Sequence, residues 1–376
     1  MLRPLLISIL LTSTSIAETL LVPEEYKTIQ LALDASEPGD TIDLASGTWY
    51  NQIAWGLSGV TLKGREGGST IIDGSKHIYS PVVCYGEPVT IENIKFQNGA
   101  GSNIFGLIRG GAIYVEFTSA TIRNCQFESN QINVGDFDGG SIGGAICSYY
   151  GSLVIDSCTF NNNHCNGLKS DDYGNIGGAI GIVNGDLSID DCEFTNNSAT
   201  MNGGAIFAGE YSNCSVNNCT FSKNVALNGG AMSNNESDIN LMGCVFQGNI
   251  ANTGGGMHNY KSNTALLSCE FKNNNAKYGG GLYNYNNAIM LAKTIICGNT
   301  PDQIVGDWID NGKNTIAADC GLGCPDINDD GMINVNDLLT IIDQWGLTNS
   351  PADVTQDGAV DVSDLLLIIS NWGTCK

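Results

Sequence analysis

Between residues 90 and 300 the apolar positions come in short files rather than helical stripes. An aliphatic residue recurs at Ile91, Ile122, Ile155, Ile189, Val216, Leu241, Leu266 and Leu291. Three places later, in six of these units, stands Cys-x-Phe-x-x-Asn, beginning at Cys125, Cys158, Cys192, Cys219, Cys244 and Cys269. A Gly-Gly pair followed by small and aliphatic residues opens at Gly110, Gly143, Gly177, Gly203, Gly229, Gly254 and Gly279, with steps of 33, 34, 26, 26, 25 and 25. A fixed period of this size is the signature of a solenoid. The 48 glycines argue against helical repeats, and no leucine-rich frame is present. The pattern predicts a mainly β chain: a right-handed, single-stranded parallel β-helix in which equivalent residues stack about 4.8 Å apart.

In this arrangement the aliphatic file, Cys and Phe point inward. The Asn of Phe-x-x-Asn turns a corner and bonds the Asn of adjacent coils. The glycines supply left-handed or tightly folded backbone at the next corner. About ten coils would form a rod roughly 50 Å long. Such a rod needs closed ends, and VPEEYKTIQLALDAS, from Val22, predicts a short amphipathic helical cap with Tyr26, Ile29 and Leu33 on one face.

The stretch VPEEYKTIQLALDASEPGDTIDLASGTWY resembles the opening of pectin-lyase-like β-helix proteins, including pectin methylesterases. The paired GGA[ILV] and FxxN motifs of residues 90–300 resemble the repeats of chlamydial polymorphic outer-membrane proteins, which are surface adhesins. No C-terminal autotransporter barrel accompanies them in this sequence.

Residues 324–376 change character. DINDDGMINVNDLLTIIDQWG from Asp326 and DVTQDGAVDVSDLLLIISNWG from Asp353 are two copies, 27 apart, of a twelve-residue acidic loop running into a helix. Calcium takes six or seven oxygens, and such a loop offers them at positions 1, 3, 5, 7, 9 and 12. These are Asp326, Asn328, Asp330, the Met332 carbonyl, Asn334 and Asp337 in the first copy. In the second they are Asp353, Thr355, Asp357, the Ala359 carbonyl, Asp361 and Asp364. Gly331 and Gly358 make the bend, and Ile333 and Val360 pack inward. Tandem loops with Asp at position 12, followed by Leu-Leu, resemble a type I dockerin, a small α-helical EF-hand-like module. That resemblance implies calcium as cofactor and a cohesin-like protein partner.

At the other end, Arg3, the apolar run 5–11 and the small residues Ser15 and Ala17 read as an export signal over residues 1–17. The expected organisation is therefore a leader at 1–17, a β-helix at 18–323 and a calcium module at 324–376. The expected location is extracellular or at the cell surface, without a membrane span. Formal charge is −23 and becomes −24 once the leader, with one Arg and no acid, is removed. So acidic a chain repels phosphate backbones, which excludes nucleic acid as a natural partner.

Fourteen cysteines in an exported chain would ordinarily mean a disulfide framework. Here six belong to the inward file, where neighbouring Cβ atoms are spaced too widely for easy bridging, and they are expected to be reduced. Cys297 with Cys320, and Cys324 with Cys375, are placed to clamp the distal end and the calcium module.

Two clusters are candidates for function. Three long insertions between the corner Asn and Gly-Gly form a lip bearing Phe105, Asp136, Phe137, Asp138, His164, Lys169, Asp171, Asp172 and Tyr173. Aromatics with carboxylates suit a carbohydrate. An outward file, Glu92, Arg123, Asp156 and Asp190, suits either acid–base chemistry or a salt-bridge ladder. No Ser-His-Asp or phosphate-loop pattern occurs. The expected function is carbohydrate or cell-surface binding or adhesion; the alternative is a polysaccharide-degrading lyase, esterase or glycoside hydrolase.

Overall fold

The computed structural model describes residues 16–50, 52–55, 59–104, 106–133, 140–167, 174–318, 320, 325–328, 330–348, 350–355 and 358–374. The chain divides into two compact units, Met1–Ala318 and Asp319–Lys376. The leader expected at 1–17 falls almost wholly outside the described residues.

The first unit is a parallel β-helix. Sheet A holds twelve described strands, from Thr19–Val22 to Trp308–Asp310; sheet B holds eleven, from Gly47–Trp49 to Thr315–Ala317; sheet C holds ten, from Ile53–Trp55 to Ile304–Val305. Each repeat contributes one strand to each, as in Ile206–Gly209 (C), Asn213–Asn217 (A) and Thr220–Ser222 (B). All pairings within these three sheets are parallel and in the register the repeat predicts: Ile122, Ile155, Ile189, Val216, Leu241, Leu266 and Leu291 are successive partners.

The phenylalanines form one buried file. Rings of Phe96, Phe127, Phe160, Phe194, Phe221, Phe246 and Phe271 stack at 5.2, 4.7, 4.7, 4.8, 4.6 and 4.3 Å between centroids. Burying each ring contributes about 1.5–3 kcal/mol. The six Cys of the repeat are buried free thiols, as the spacing argument anticipates. Cys297 and Cys320 are both disulfide-bonded; Cys324 and Cys375 lie outside the described residues.

The corner Asn residues form a second buried ladder. Asn197 donates from both its backbone N and Nδ2 to Asn224 Oδ1, at 2.9 and 3.1 Å. Asn224 repeats this with Asn249 Oδ1 at 2.9 and 3.0 Å, while its Nδ2 also reaches Phe194 O at 3.0 Å. The two glycines of each pair have separate reasons. The first is left-handed, as at Gly203 with φ 67°. A Cβ on the second would meet the neighbouring coil: on Gly204 it would stand 2.1 Å from Gly230 O.

Near the N-terminus, α1 (Ile29–Ala35) is capped by the Thr28 side chain and buries Ile29, Ala32 and Leu33, with Tyr26 packed beside them. The long insertions are not simple loops in their described parts. Ser102–Ile104, Leu107–Arg109 and Ser141–Ile142 form one small sheet; Gln131–Asn133, His164–Asn166 and Ser198–Ala199 form another. They accompany a satellite core outside sheet C, where Tyr114, Ile142, Cys147, Ile176, Val183 and Phe207 are buried.

The second unit holds α2 (Val335–Asp343) and α3 (Val362–Ser370), each opened by a capping box. Ile333, Ile341, Ala352, Val360 and Ile368 form its core.

Candidate binding surface and calcium loops

The outward charge file lies in register on sheet A: Asp43, Lys63, Glu92, Arg123, Asp156, Asp190 and Asn217. Arg123 Nη1 lies 3.5 Å from Glu92 Oε1. Asp156 Oδ1 accepts from Ser157 Oγ at 3.1 Å, and Asp190 Oδ1 from Asn218 Nδ2 at 3.2 Å. Arg123 is thus paired along the ladder, and Asp156 and Asp190 are adjacent carboxylates on an open face. Beyond Asn217 the same file turns apolar, as Met242, Leu267 and Ala292.

Of the proposed lip, Phe105, Asp136, Phe137, Asp138, Lys169, Asp171, Asp172 and Tyr173 lie outside the described residues. His164 is half-buried, with Nδ1 2.7 Å from Ser198 Oγ and Nε2 3.0 Å from Asn162 Oδ1. Burial lowers its pKa, and both ring nitrogens are engaged within a hydrogen-bonded corner.

Sequence reasoning missed an aromatic edge where sheet C turns into sheet A. Tyr85, Phe117, Tyr150 and Tyr211 are 48, 66, 47 and 77% exposed. Phe117, Tyr150 and Tyr211 have φ of 51, 51 and 63°, a left-handed backbone that bulky side chains rarely adopt. Such strain costs of order 1–3 kcal/mol per residue. Phe117 and Tyr150 stack at 5.3 Å and 15°, and Tyr149 meets Tyr150 edge-on at 4.7 Å. The available signal was spacing: Phe117 and Tyr150 each follow a repeat glycine, Gly110 and Gly143, by seven residues.

Arg109 supports this edge from below. Only 5% exposed, it lays its guanidinium 4.0 Å over the Tyr149 ring and donates from Nη1 to Tyr114 Oη at 2.8 Å. Burial opposes its charge, but the surrounding tyrosines and the Tyr114 hydrogen bond raise its pKa. A charged, stacked Arg109 holds Tyr149, and Tyr149 abuts Tyr150.

In the second unit, Asp326 accepts from Asp330 N at 3.2 Å and Gly331 N at 2.6 Å. Asn328 Oδ1 accepts from Asp330 N at 2.9 Å. Asn334 Nδ2 donates to Asp330 Oδ2 and to Met332 O, both at 3.2 Å. An amide N–H pair therefore touches two of the six oxygens named for a cation, a polar contact that a calcium ion would replace.

Asp337 is fully buried; its oxygens accept from Asn334 N at 2.9 Å and Ile327 N at 2.8 Å. In the second loop Asp364 is equally buried, accepting from Asp361 N, Thr355 N and Thr355 Oγ1 at 2.8, 2.8 and 2.9 Å. Burial would raise its pKa, but these hydrogen bonds outweigh it and hold the carboxyl below its ordinary value. Gly358 N reaches Asp353 Oδ2 at 3.1 Å. Asp361 caps α3 through Ser363 N, and Asp357 lies outside the described residues. Among the described residues no three His, Cys, Asp or Glu side chains converge as a metal cluster. The oxygen-only donor set, with its amides, hydroxyl and carbonyls, is nevertheless of the hard type that calcium takes.

The Chlamydia polymorphic membrane protein (Chlamydia_PMP) repeat matches residues 191–209. No curated protein matches the chain. Among solved structures it is similar to pectate lyase Pel9A, at 12% identity over 90% of this chain and 86% of that one, with TM-score 0.40. It is also similar to the A-module of the Azotobacter vinelandii mannuronan C-5 epimerase AlgE4, at 13% identity over 77 and 91%, with TM-score 0.35. A pectin methylesterase from Aspergillus niger follows at 16% over 80 and 85%, with TM-score 0.29. Likeness at this level bears on no chemistry. The established statement is that the chain contains a parallel β-helix with one stretch matching a polymorphic membrane protein repeat.

Proposed function

We propose that this protein is an exported rod that binds carbohydrate or a cell surface without turning it over, displayed through a calcium-loaded module. The single observation that carries this reading is the aromatic edge: Phe117, Tyr150 and Tyr211 are exposed rings at one corner of the coils, with no core to fill. Exposed rings on a rigid scaffold suit stacking against the apolar faces of sugars. The rod winds right-handed, as parallel crossovers do, with α1 closing its N-terminal end and residues 1–17 directing export. No described helix is long and apolar enough to cross a membrane.

The C-terminal module reads as dockerin-like. Asp326, Asn328, Asp330, Asn334 and Asp337, with the Met332 carbonyl, would hold one calcium. Asp353, Thr355, Asp357, Asp361 and Asp364, with the Ala359 carbonyl, would hold a second; bound calcium would neutralise the crowded carboxylates and fix both loops. Val335, Leu339 and Ile342 on α2 are 52, 56 and 55% exposed, and Val362, Leu366 and Ile369 on α3 are 55, 60 and 53% exposed. Two equivalent apolar stripes of this kind suit a cohesin-like protein partner.

A second reading, a polysaccharide-active enzyme, is favoured by one feature: Asp156 and Asp190 are neighbours in register on an outward face. Affinity electrophoresis of the mature protein through gels containing a panel of polysaccharides tests the binding reading. Retardation by at least one is expected, and migration unaffected by all of them would overturn it.

A further inference from the structure

We propose that the groove beside Tyr211 is a subsite for an uncharged, hydroxyl-rich glycan chain running along the rod's aromatic edge, and that it excludes polyuronates. This rests on the reading that the edge binds glycan, and adds both the place and the ligand class. The coil carrying Tyr211 has one residue more at this corner than its neighbours: Gly209 pairs with Val183 and Asn235, and Asn213 with Asp186 and Asp238, so Tyr211 is added after Glu210, the equivalent of Phe117 and Tyr150. Glu210, at φ 52°, takes the left-handed conformation that Phe117, Tyr150, Asn184, Glu236 and Lys261 share at this corner, and the extra residue, Tyr211, adds a second at 63°. Both keep the inter-coil ladder, Glu210 N to Asn235 O at 3.1 Å and Tyr211 N to Glu236 O at 2.9 Å. Local strain is thus accepted without loss of backbone pairing, and the ring is thrust into solvent at 77% exposure.

Beneath the ring lies an open groove of about 640 Å³, lined by Tyr211, Asn213, Glu236, Ser237, Asp238, Lys261 and Asn263. Its cation is already engaged: Lys261 Nζ lies 3.0 Å from Glu236 Oε1. Its amides are fixed too, Asn213 Nδ2 donating to Asp186 Oδ1 at 3.1 Å and Asn263 Nδ2 to Asp238 Oδ1 at 2.7 Å. Glu236 and Asp238 against Lys261 leave the lining at −1, within a chain of −23. Carboxylate and amide oxygens with spare lone pairs accept from sugar hydroxyls. A uronate carboxylate would meet those same oxygens in a lining whose single cation, Lys261, is outnumbered by two carboxylates, and be repelled.

The spacing fits an extended chain. Tyr150 and Tyr211 stand two coils apart on the edge, about 10 Å, so that about every second sugar of an extended 1,4-linked chain reaches a ring.

Calorimetry in calcium-free buffer, where no metal bridges anions to the protein, tests this with cellohexaose, xylohexaose, mannohexaose and hexagalacturonate. At least one neutral hexaose is expected to bind more tightly than hexagalacturonate. Tyr211→Ala should weaken it about three- to tenfold while leaving the melting temperature unchanged. Tighter binding of hexagalacturonate overturns the proposal. So does unchanged affinity in Tyr211→Ala; if Phe117→Ala or Tyr150→Ala then weakens binding, the edge survives as a glycan surface without this subsite. Failure of all four sugars to bind removes the subsite, and failure on the polysaccharide gels as well removes the edge reading beneath it.

Discussion

Gly230 and Gly255 pass so closely that a Cβ on Gly230 would stand 2.3 Å from Gly255 O. Backbone on both sides leaves nothing that can rotate away. Gly230→Ala should therefore destabilise the rod by about 1–3 kcal/mol. Gly248, with φ 64° but nothing within 4 Å of its added Cβ, meets no clash and carries instead a left-handed backbone penalty of about 1 kcal/mol. Urea unfolding of the two variants should place Gly230→Ala clearly below Gly248→Ala. Equal midpoints would mean that the coils are not packed in this register.

Asn224→Ala removes the acceptor for two donors of Asn197 and the donor to Phe194 O. Buried polar groups left without partners cost about 1–3 kcal/mol each. A loss of about 2–4 kcal/mol is expected by denaturant unfolding. An effect under half a kilocalorie, of the size surface changes give, would contradict the ladder.

The ten free cysteines among the described residues are buried, and burial pushes the Cys84 thiol up to about 12. At pH 8 a small thiol reagent should leave these ten almost unlabelled in the folded protein and label them all after denaturation. Mass mapping checks this; prompt native labelling at Cys192, Cys219 or Cys244 would show an open core.

His258 stacks on Tyr283 at 5.4 Å, and its enclosed Nδ1 lacks a partner. Burial lowers its pKa from 6.5 to about 4. The unfolded chain takes up a proton below about pH 6.5 that the folded chain refuses until about pH 4. Stability contributed by His258 is therefore present above pH 6.5 and falls as the pH drops through that window. His258→Phe should flatten this part of the pH–stability curve, and an unchanged slope would place the ring in water.

Adding calcium should raise the melting temperature of the full chain's C-terminal transition, and a chelator should reverse the shift. Asp337→Ala should abolish the response of the first loop, and it also removes the partner of Asn334 N at the start of α2. Absence of any calcium response by calorimetry at millimolar metal would contradict the module's proposed role.

The solenoid was legible because each coil repeats the same chemistry. Gly204 and Asn224 perform tasks that no other residue performs as well, so they recur and are seen. Ile29 and Leu33 were equally readable as the buried face of α1. The aromatic edge was not, because Phe117 and Tyr150 occupy left-handed positions that propensity assigns to Gly or Asn, the residue found at Asn184 in the coil between Tyr150 and Tyr211. The small sheets formed by Leu107–Arg109 and Ser141–Ile142 are too short to leave a periodic signal. Nor does a sequence mark Arg109 as buried, since the Tyr149 ring beneath its guanidinium comes from the next coil.

Binding without turnover is the claim on which the functional account stands. It is tested most directly by incubating the mature protein with each polysaccharide that retards it on a gel, then assaying released reducing ends and the ultraviolet absorbance of unsaturated products. Retention with no product over many hours is the predicted result. Product that accumulates with enzyme concentration and disappears in Asp156→Ala or Asp190→Ala would contradict it.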